Sequence, residues 1–281
     1  MNLQAASQLL QQSLTTIYEP REAANITDWV LEKLTGLKKL DRLVHKTQLL
    51  NSAQADLLNQ YKQELLSHKP VQYVLGEAPF YRLNFFVNEA VLIPRPETEE
   101  LVDWVLATIG DGQSLLDIGT GSGCIALSIK KNKPSVAVSA CDISKDALKV
   151  AESNMRLMDA PVHLFHCDIL DPSQTEIPGV YDVIVSNPPY IPDADKAHML
   201  SNVLEHEPHL ALFSGDDPFA FYRTITSFAR RHLAKEGNLF FEIHEAGGEA
   251  VTKILQQAGF TTIELKQDLY GKPRMIRACI K

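Results

Sequence analysis

LLDIGTGSGCIAL, residues 115–127, decides the fold. An apolar run reaches Asp117 and Ile118, glycines stand at 119, 121 and 123, and a segment fit for a helix begins near Cys124. Glycine is needed where the backbone takes positive φ or where a ligand lies directly on it. The stretch therefore reads as strand, tight turn and helix, the unit that opens a parallel α/β sheet with a ligand site at its carboxyl edge. The dinucleotide fingerprint G-x-G-x-x-G would place its last glycine where Cys124 stands, whereas the spacing here is G-x-G-x-G, and the nicotinamide reading loses ground.

Downstream, strand-like runs (Ser114–Ile118, Val136–Cys141, Val162–Cys167, Tyr181–Ser186, Asn238–Ile243) alternate with helical runs beginning near Gly123, Ser144, Pro218 and Ala246. Alternation of this kind predicts a parallel sheet covered on both faces. The last two strands, about 261–267 and 273–280, are joined by Asp268-Leu269-Tyr270-Gly271-Lys272 alone. That link is too short for a crossover helix, so an antiparallel pair should close the sheet.

Two of these strands end in acids. VAVSACD finishes at Asp142, where a carboxylate can accept both ribose hydroxyls, and VHLFHCD finishes at Asp168, within reach of an adenine edge. Carboxylates repel a pyrophosphate, so a glycine turn flanked by Asp117, Asp142 and Asp168 suits a nucleoside without phosphates. S-adenosylmethionine has that shape. Read alone, the glycine turn is tight-turn chemistry and Asp168 a turn cap; the conjunction favours the cofactor.

The fourth strand delivers VSNPPYI, residues 185–191. Asn187 offers a side-chain acceptor, and the prolines at 188 and 189 remove backbone donors, so nearby carbonyls accept without competition. Two acceptors can hold both hydrogens of a planar NH₂ group, while Tyr190 offers a flat face. The bland alternative is a loop marked by Asn-Pro.

Upstream, residues 1 to about 75 show helical periodicity: Leu10, Leu14 and Ile17; Ile26, Val30 and Leu34; Leu57, Tyr61 and Leu65. A bundle of four or five helices is expected. FYRLNFFVNEAVLI, residues 80–93, reads as a hairpin whose two pieces flank Asn88-Glu89. IPRPETEELVDWVLATIG then starts a helix with Leu101, Val105 and Ile109 on one face.

The 281 residues are 45% hydrophobic and 22% charged, ordinary for a globular protein of two domains. Net charge is −8, with nine Lys/Arg against eight Asp/Glu in residues 1–86, so the negative charge lies in the remainder. Such a body repels phosphate backbones, and no direct nucleic-acid partner is expected. The N-terminus lacks a basic flank and apolar run, and no segment approaches a membrane span, which predicts a cytoplasmic location without membrane association. Cys124, Cys141, Cys167 and Cys279 form no C-x-x-C pair. His163, His166, His206 and His209 lack matching acids or thiols, so no metal is expected.

DIGTGSG, Asp142 and NPPY together resemble class I S-adenosylmethionine-dependent N-methyltransferases acting on amide or exocyclic amino nitrogens. PVQYVLGEAPFYRLNFFVNEAVLIPRPETEELV, residues 70–102, resembles the hallmark of the release-factor glutamine methyltransferases (PrmC, also called HemK), and the likeness covers nearly the whole chain. It implies a Rossmann-like methyltransferase sheet over 95–281, a β-hairpin linker over 79–94 and a substrate-binding helical domain over 1–78. The implied reaction methylates the side-chain nitrogen of the glutamine in the Gly-Gly-Gln loop of peptide-chain release factors, with S-adenosylhomocysteine as the second product and a monomer expected. Carried onto this chain, Gly119, Thr120, Gly121, Ser122 and Gly123 would cradle the methionine end and Asp142 would take the ribose. Asp168 and Ile169 would border the adenine. Asn187, Pro188, Pro189 and Tyr190 would receive the glutamine amide, with Asn187, Pro188 and Tyr190 carrying the catalysis and Asn187 also touching the cofactor. Arg95, Thr98 and Glu99 would shape the pocket wall.

Two positions depart from the pattern: Ile169, where some relatives have an aromatic ring, and His244, where glycine is usual. DLYGKPRMIRA and EPHLALFSGDDPFAFYR fit the family's last hairpin and its usual loop and helix. The competing readings are an adenine-N6 DNA methyltransferase, which would want a basic recognition surface, a ribosomal-protein glutamine methyltransferase, and a docking protein with a vestigial fold.

Overall fold

The structure is a computed structural model that describes residues 1–171, 177, 179–198 and 201–280. The chain divides into two compact units, residues 1–76 with 200–206, and residues 77–199 with 207–281.

The first unit is built from α1 (Leu3–Leu14), α2 (Pro20–Thr35), α3 (Lys39–Val44), α4 (Ser52–Leu66) and α5 (Val71–Leu75). Local chemistry fixes the ends. Asn2 caps α1 through Ala5 N–H at 2.8 Å, Pro20 opens α2, and Asn51 with Gln54 forms a capping box on α4. Leu3, Ala6, Leu10 and Leu14 face the core at helical spacing, meeting Ala23, Ile26 and Val30 of α2 and Leu58 and Leu65 of α4. One expectation shifts by a residue: Leu57 is exposed and Leu58 is buried. The buried stripe runs 58 and 65, a seven-residue step, and the neighbouring leucine at 57 disguised it.

The second unit opens with a hairpin, β1 (Ala78–Phe80) and β2 (Leu83–Phe85), whose turn is Tyr81-Arg82 rather than Asn88-Glu89. Both turn residues take positive φ (48° and 61°), a conformation that usually selects Asn or Gly. Tertiary bonds hold it instead, for Tyr81 N–H donates to Glu99 Oε1 at 2.9 Å and Tyr81 OH to Asp103 Oδ1 at 2.5 Å. The piece after Asn88 forms no strand.

Then follow α6 (Pro96–Thr108), β3 (Ser114–Ile118), α7 (Cys124–Asn132), β4 (Ala137–Asp142), α8 (Lys145–Met158), β5 (His163–His166) and β6 (Tyr181–Ser186). The chain continues through α9 (Ser201–His206, counted with the first unit), α10 (His209–Leu212), α11 (Ala220–His232), β7 (Leu233–Glu242), α12 (Gly248–Gln257), β8 (Thr262–Gln267) and β9 (Pro273–Cys279). The sheet order is β5-β4-β3-β6-β7-β9-β8; all pairs are parallel except those of β9 with β7 and β8. The α/β sheet and its antiparallel closing pair are as the alternation predicts.

β7 begins five residues before the expected Asn238. Tyr181 pairs with Leu233, and a register shift precedes the Val183–Asn238 pairing, so a bulge absorbs the polar KEG stretch that reads as a loop. The chain order reverses between β3 and β6, the switch point beside which open α/β sheets bind ligands. Ile118 lies level with Cys141 and with Ser186, and Ser186 with Phe241, so Asp142, Asn187 and Glu242 leave the sheet along one carboxyl edge.

Candidate active site

Gly119, Gly121 and Gly123 all take positive φ (76°, 56° and 81°). Their duties differ. A Cβ on Gly119 or Gly121 would meet nothing within 4 Å, so these two leave backbone open to a ligand, whereas a Cβ on Gly123 would come 2.9 Å from Leu127 Cδ1. Gly123 is a packing glycine at the N-cap of α7. The turn is stapled to β4 by Gly119 and Thr120 N–H donating to the Cys141 carbonyl at 2.9 and 3.0 Å. Gly121 N–H donates to Asp142 Oδ2 at 2.9 Å. Asn154 of α8, fully buried, ties the turn to the segment after the hairpin: its amide donates to Ser122 O and Phe86 O and accepts from Phe86 N–H at 2.7 Å.

The acids occupy different environments. Asp117 is wholly buried, accepts from Thr120 Oγ1 at 2.7 Å, and is pushed up to about 7, burial outweighing that bond while the Asp142 charge adds to the rise. Asp142 is also raised by burial, opposed by the backbone N–H groups of Ser144 and Gly121. Asp168 accepts from Leu170 N–H at 2.9 Å, the turn-capping contact.

Across the switch point, Asn187 Nδ2 lies 3.4 Å from Thr98 Oγ1, and Thr98 Oγ1 donates to Glu242 Oε2 at 2.7 Å. Glu242 is buried and pushed up to about 7, chiefly by desolvation, with Thr98, Arg274 and Asn187 opposing. Arg95 Nη2 donates to the buried carboxylate of Glu207 at 2.5 Å, and Ile93 N–H reaches the same group, which anchors the segment before α6. Ser186 Oγ donates to the Ile118 carbonyl at 2.7 Å, locking β6 to β3 directly below Asn187.

A cavity of about 210 Å³ joins these parts. Of the expected residues it is lined by Gly119, Thr120, Gly121, Ser122, Asp142, Asp168, Ile169, Asn187, Pro188 and Pro189, together with Arg95 and Thr98. Asp117, Gly123, Glu99 and Tyr190 are not among its lining residues. Asp117 and Gly123 shape the turn from behind, and Glu99 holds Tyr81. The Tyr190 ring lies 5.9 Å from that of His244, tilted 55°, so the departure at 244 supplies a ring neighbour. Burial first and Glu242 second push the Tyr190 phenol up to about 12.

Glu242 and Asn154 escaped the sequence reading, as did Phe221 and Ile225 of α11, which close the apolar wall. Glu242 carried a legible signal: an acid ending a strand at the ligand edge, as Asp142 does. Asn154 carried none, being a polar residue inside an amphipathic helix. Among the described residues, no three of His, Cys, Asp or Glu gather as metal ligands, and no helix is long and apolar enough to cross a membrane.

The residues present fit S-adenosylmethionine. Open backbone at Gly119 and Gly121 admits close approach, the carboxylates of Asp142 and Asp168 line the cavity as acceptors of the kind that hydroxyl and amino groups require, and the apolar wall from Ile169 to Ile225 suits a nucleoside face.

Comparison with known proteins agrees with this geometry. The family model described as methyltransferase small domain matches residues 98–216, and the PrmC N-terminal domain matches residues 2–76. A release factor glutamine methyltransferase of Flavobacterium psychrophilum is 42% identical over 273 residues, covering 95% of each chain. One of Bacteroides thetaiotaomicron is 40% identical over 271 residues, covering 96% of this chain and 97% of its own. Among solved structures, a methyltransferase from Pyrococcus furiosus has a TM-score of 0.54 at 16% identity, over 79% of this chain and 98% of that one, a likeness of fold.

Proposed function

The chain belongs to the release factor glutamine methyltransferases, and on that premise we propose that it moves the methyl group of S-adenosylmethionine onto the side-chain amide nitrogen of the glutamine in a release factor's Gly-Gly-Gln motif. One observation carries the site assignment: a single cavity brings the open glycine backbone and Asp142 together with Asn187-Pro188-Pro189. The glycine turn holds the amino acid end of the donor, Asp142 the ribose hydroxyls, and Asp168 with Ile169 the adenine. When bound, the donor supplies a sulfonium methyl that is displaced in line and leaves a neutral thioether.

The difficulty lies in the acceptor. A carboxamide lone pair is delocalised into its carbonyl and attacks poorly. Two oxygens, the Asn187 side-chain carbonyl and a main-chain carbonyl of the proline pair, accept both N–H hydrogens and hold the nitrogen as it turns pyramidal, which aims the localising lone pair at the methyl. In such a displacement the surplus proton on the nitrogen would pass to water, so these residues need supply no charged base beforehand. The helical unit, residues 1–76, serves as a docking domain for the release factor, a reading supported by the match of residues 2–76 to the PrmC N-terminal domain.

The test is incubation with tritium-labelled donor and purified release factors, followed by digestion and mass spectrometry. A methyl group on the Gly-Gly-Gln glutamine is the expected result. Label on any other residue, or none, removes the assignment.

A further inference from the structure

An amide side chain has two ends that nearly match in shape and differ entirely in chemistry: the oxygen accepts and the NH₂ donates. For Asn187 the difference decides everything, because an NH₂ group turned into the cavity would meet the substrate NH₂ donor to donor. Nothing in NPPY itself sets the choice.

The structure supplies the missing constraint from two distant places. Asn187 Nδ2 faces Thr98 Oγ1 at 3.4 Å, and Thr98 Oγ1 faces Glu242 Oε2 at 2.7 Å. Glu242 is 2% exposed and Thr98 3%. An ionised carboxylate only accepts, so the single hydroxyl proton of Thr98 is committed to Glu242. The threonine oxygen is left with lone pairs, which the NH₂ end of Asn187 satisfies, and the same NH₂ also hydrogen-bonds the Glu242 carboxylate directly. We propose that Glu242, directly and through Thr98, is a positioning residue that locks the Asn187 amide with its oxygen toward the substrate nitrogen. This rests on the acceptor role given to Asn187 above.

One consideration separates this arrangement from ordinary packing. A buried carboxylate is expensive, and a glutamine of the same shape would fill the space at lower cost, so an acid here marks a need for an acceptor-only group. At 3.4 Å the Asn187–Thr98 contact is longer than an ordinary N–H···O bond and is the weak link of the chain.

The relay also has a direction that protonation can reverse. Glu242 is pushed up to about 7 by burial; once protonated it can donate to Thr98, which can then donate to the Asn187 oxygen and turn the amide round. The charged or titratable groups around it are Glu97 on α6, Cys124 on α7, Tyr190 after β6, Tyr222 on α11 and Arg274 on β9. Cys124 and Tyr190 are pushed up to about 12 and Tyr222 is also raised, so all three stay neutral through this range. Asp117 titrates near the same pH but lies against the glycine turn, where it would affect donor affinity.

The experiment compares wild type with Thr98→Val, Thr98→Ser and Glu242→Gln on a purified release factor, measuring kcat, KM for that substrate, donor affinity by calorimetry and cooperative thermal unfolding. Thr98→Val and Glu242→Gln should lower kcat by at least about tenfold, with donor affinity and KM within about threefold of wild type. Thr98→Ser, which keeps the hydroxyl, should restore most of the rate. The wild-type kcat should rise with pH through about 7, and Glu242→Gln should lose that limb. Wild-type kcat in a folded Thr98→Val protein, or a Thr98→Ser protein as slow as Thr98→Val, would overturn the relay. Failure of the wild type itself to label glutamine would instead break the functional assignment, so the two failures are distinguishable.

Discussion

On the β3–β4 side of the sheet edge, the contacts that shape the cavity are mostly made between near neighbours in sequence. Thr120 bonds Asp117 three residues away, Gly121 bonds Asp142 twenty-one away, and Asp168 bonds Leu170 two away. On the β6–β7 side, Asn187 meets Thr98 across 89 residues and Thr98 meets Glu242 across 144. The first side presents backbone held in an unusual conformation, as suits a flexible donor gripped along its length. The second presents a polar side chain of fixed orientation, as suits one nitrogen that must be aimed. On the proposed reading, binding and chemistry are divided between two constructions, and damage to one should spare the other.

The largest effect is expected on the aiming side. Asn187→Ala should lower methyl transfer by about 10²–10³-fold, the scale of losing one preorganised charge-stabilising group, while donor affinity stays within a few-fold. A parallel loss of calorimetric affinity would erase the division. Next comes Asp142→Ala, which removes the acceptor of Gly121 and Ser144 N–H and the ribose contact. With water taking over one of the two ribose hydroxyls and about 1.5–3 kcal/mol lost on the other, the donor dissociation constant should rise by roughly tenfold to a hundredfold. An unchanged constant would relieve Asp142 of its role.

Gly123→Ala sharpens the comparison within the turn itself. Positive φ and a 2.9 Å approach to Leu127 act together there, so its destabilisation should reach about 2–3 kcal/mol, against about 1 kcal/mol for Gly119→Ala, which is strained but unobstructed. Urea titration of both variants decides it, and equal losses would deny Gly123 a packing duty.

Stability should also depend on pH. Asp117 and Glu242 are raised from 3.8 and 4.5 to about 7, one on each side. Between those limits the folded protein holds protons that the unfolded chain has released, so stability falls as pH rises through the window, by up to about 1.4 kcal/mol per unit for each group. Relative to wild type, Glu242→Gln should therefore gain little below about pH 4.5 and most above about 7. A gain that does not change with pH would show that Glu242 keeps its ordinary affinity for protons.

The same contrast explains what could be read in advance. The glycine spacing, the terminal acids of the strands and the Asn-Pro-Pro break announce themselves because each is local. The hairpin turn at Tyr81-Arg82 does not, since its left-handed residues are held by Glu99 and Asp103 from the next helix. Leu58 was hidden by Leu57 beside it, and Asn154 looks like any polar residue of α8 until Phe86 and Ser122 meet it.

By itself the sequence determined the alternating α/β order, the antiparallel closing pair, the helical character of the first 76 residues and the three motifs that meet at the sheet edge. These follow from propensity, periodicity and turn chemistry, which act over a few residues at a time. Only the tertiary structure decided which side chains stand behind those motifs: Thr98 and Glu242 behind Asn187, Asn154 behind the glycine turn, Glu207 behind Arg95. The reason is physical. A buried polar group must find a partner wherever the fold brings one, and the distance along the chain to that partner leaves no mark on either residue's own neighbours.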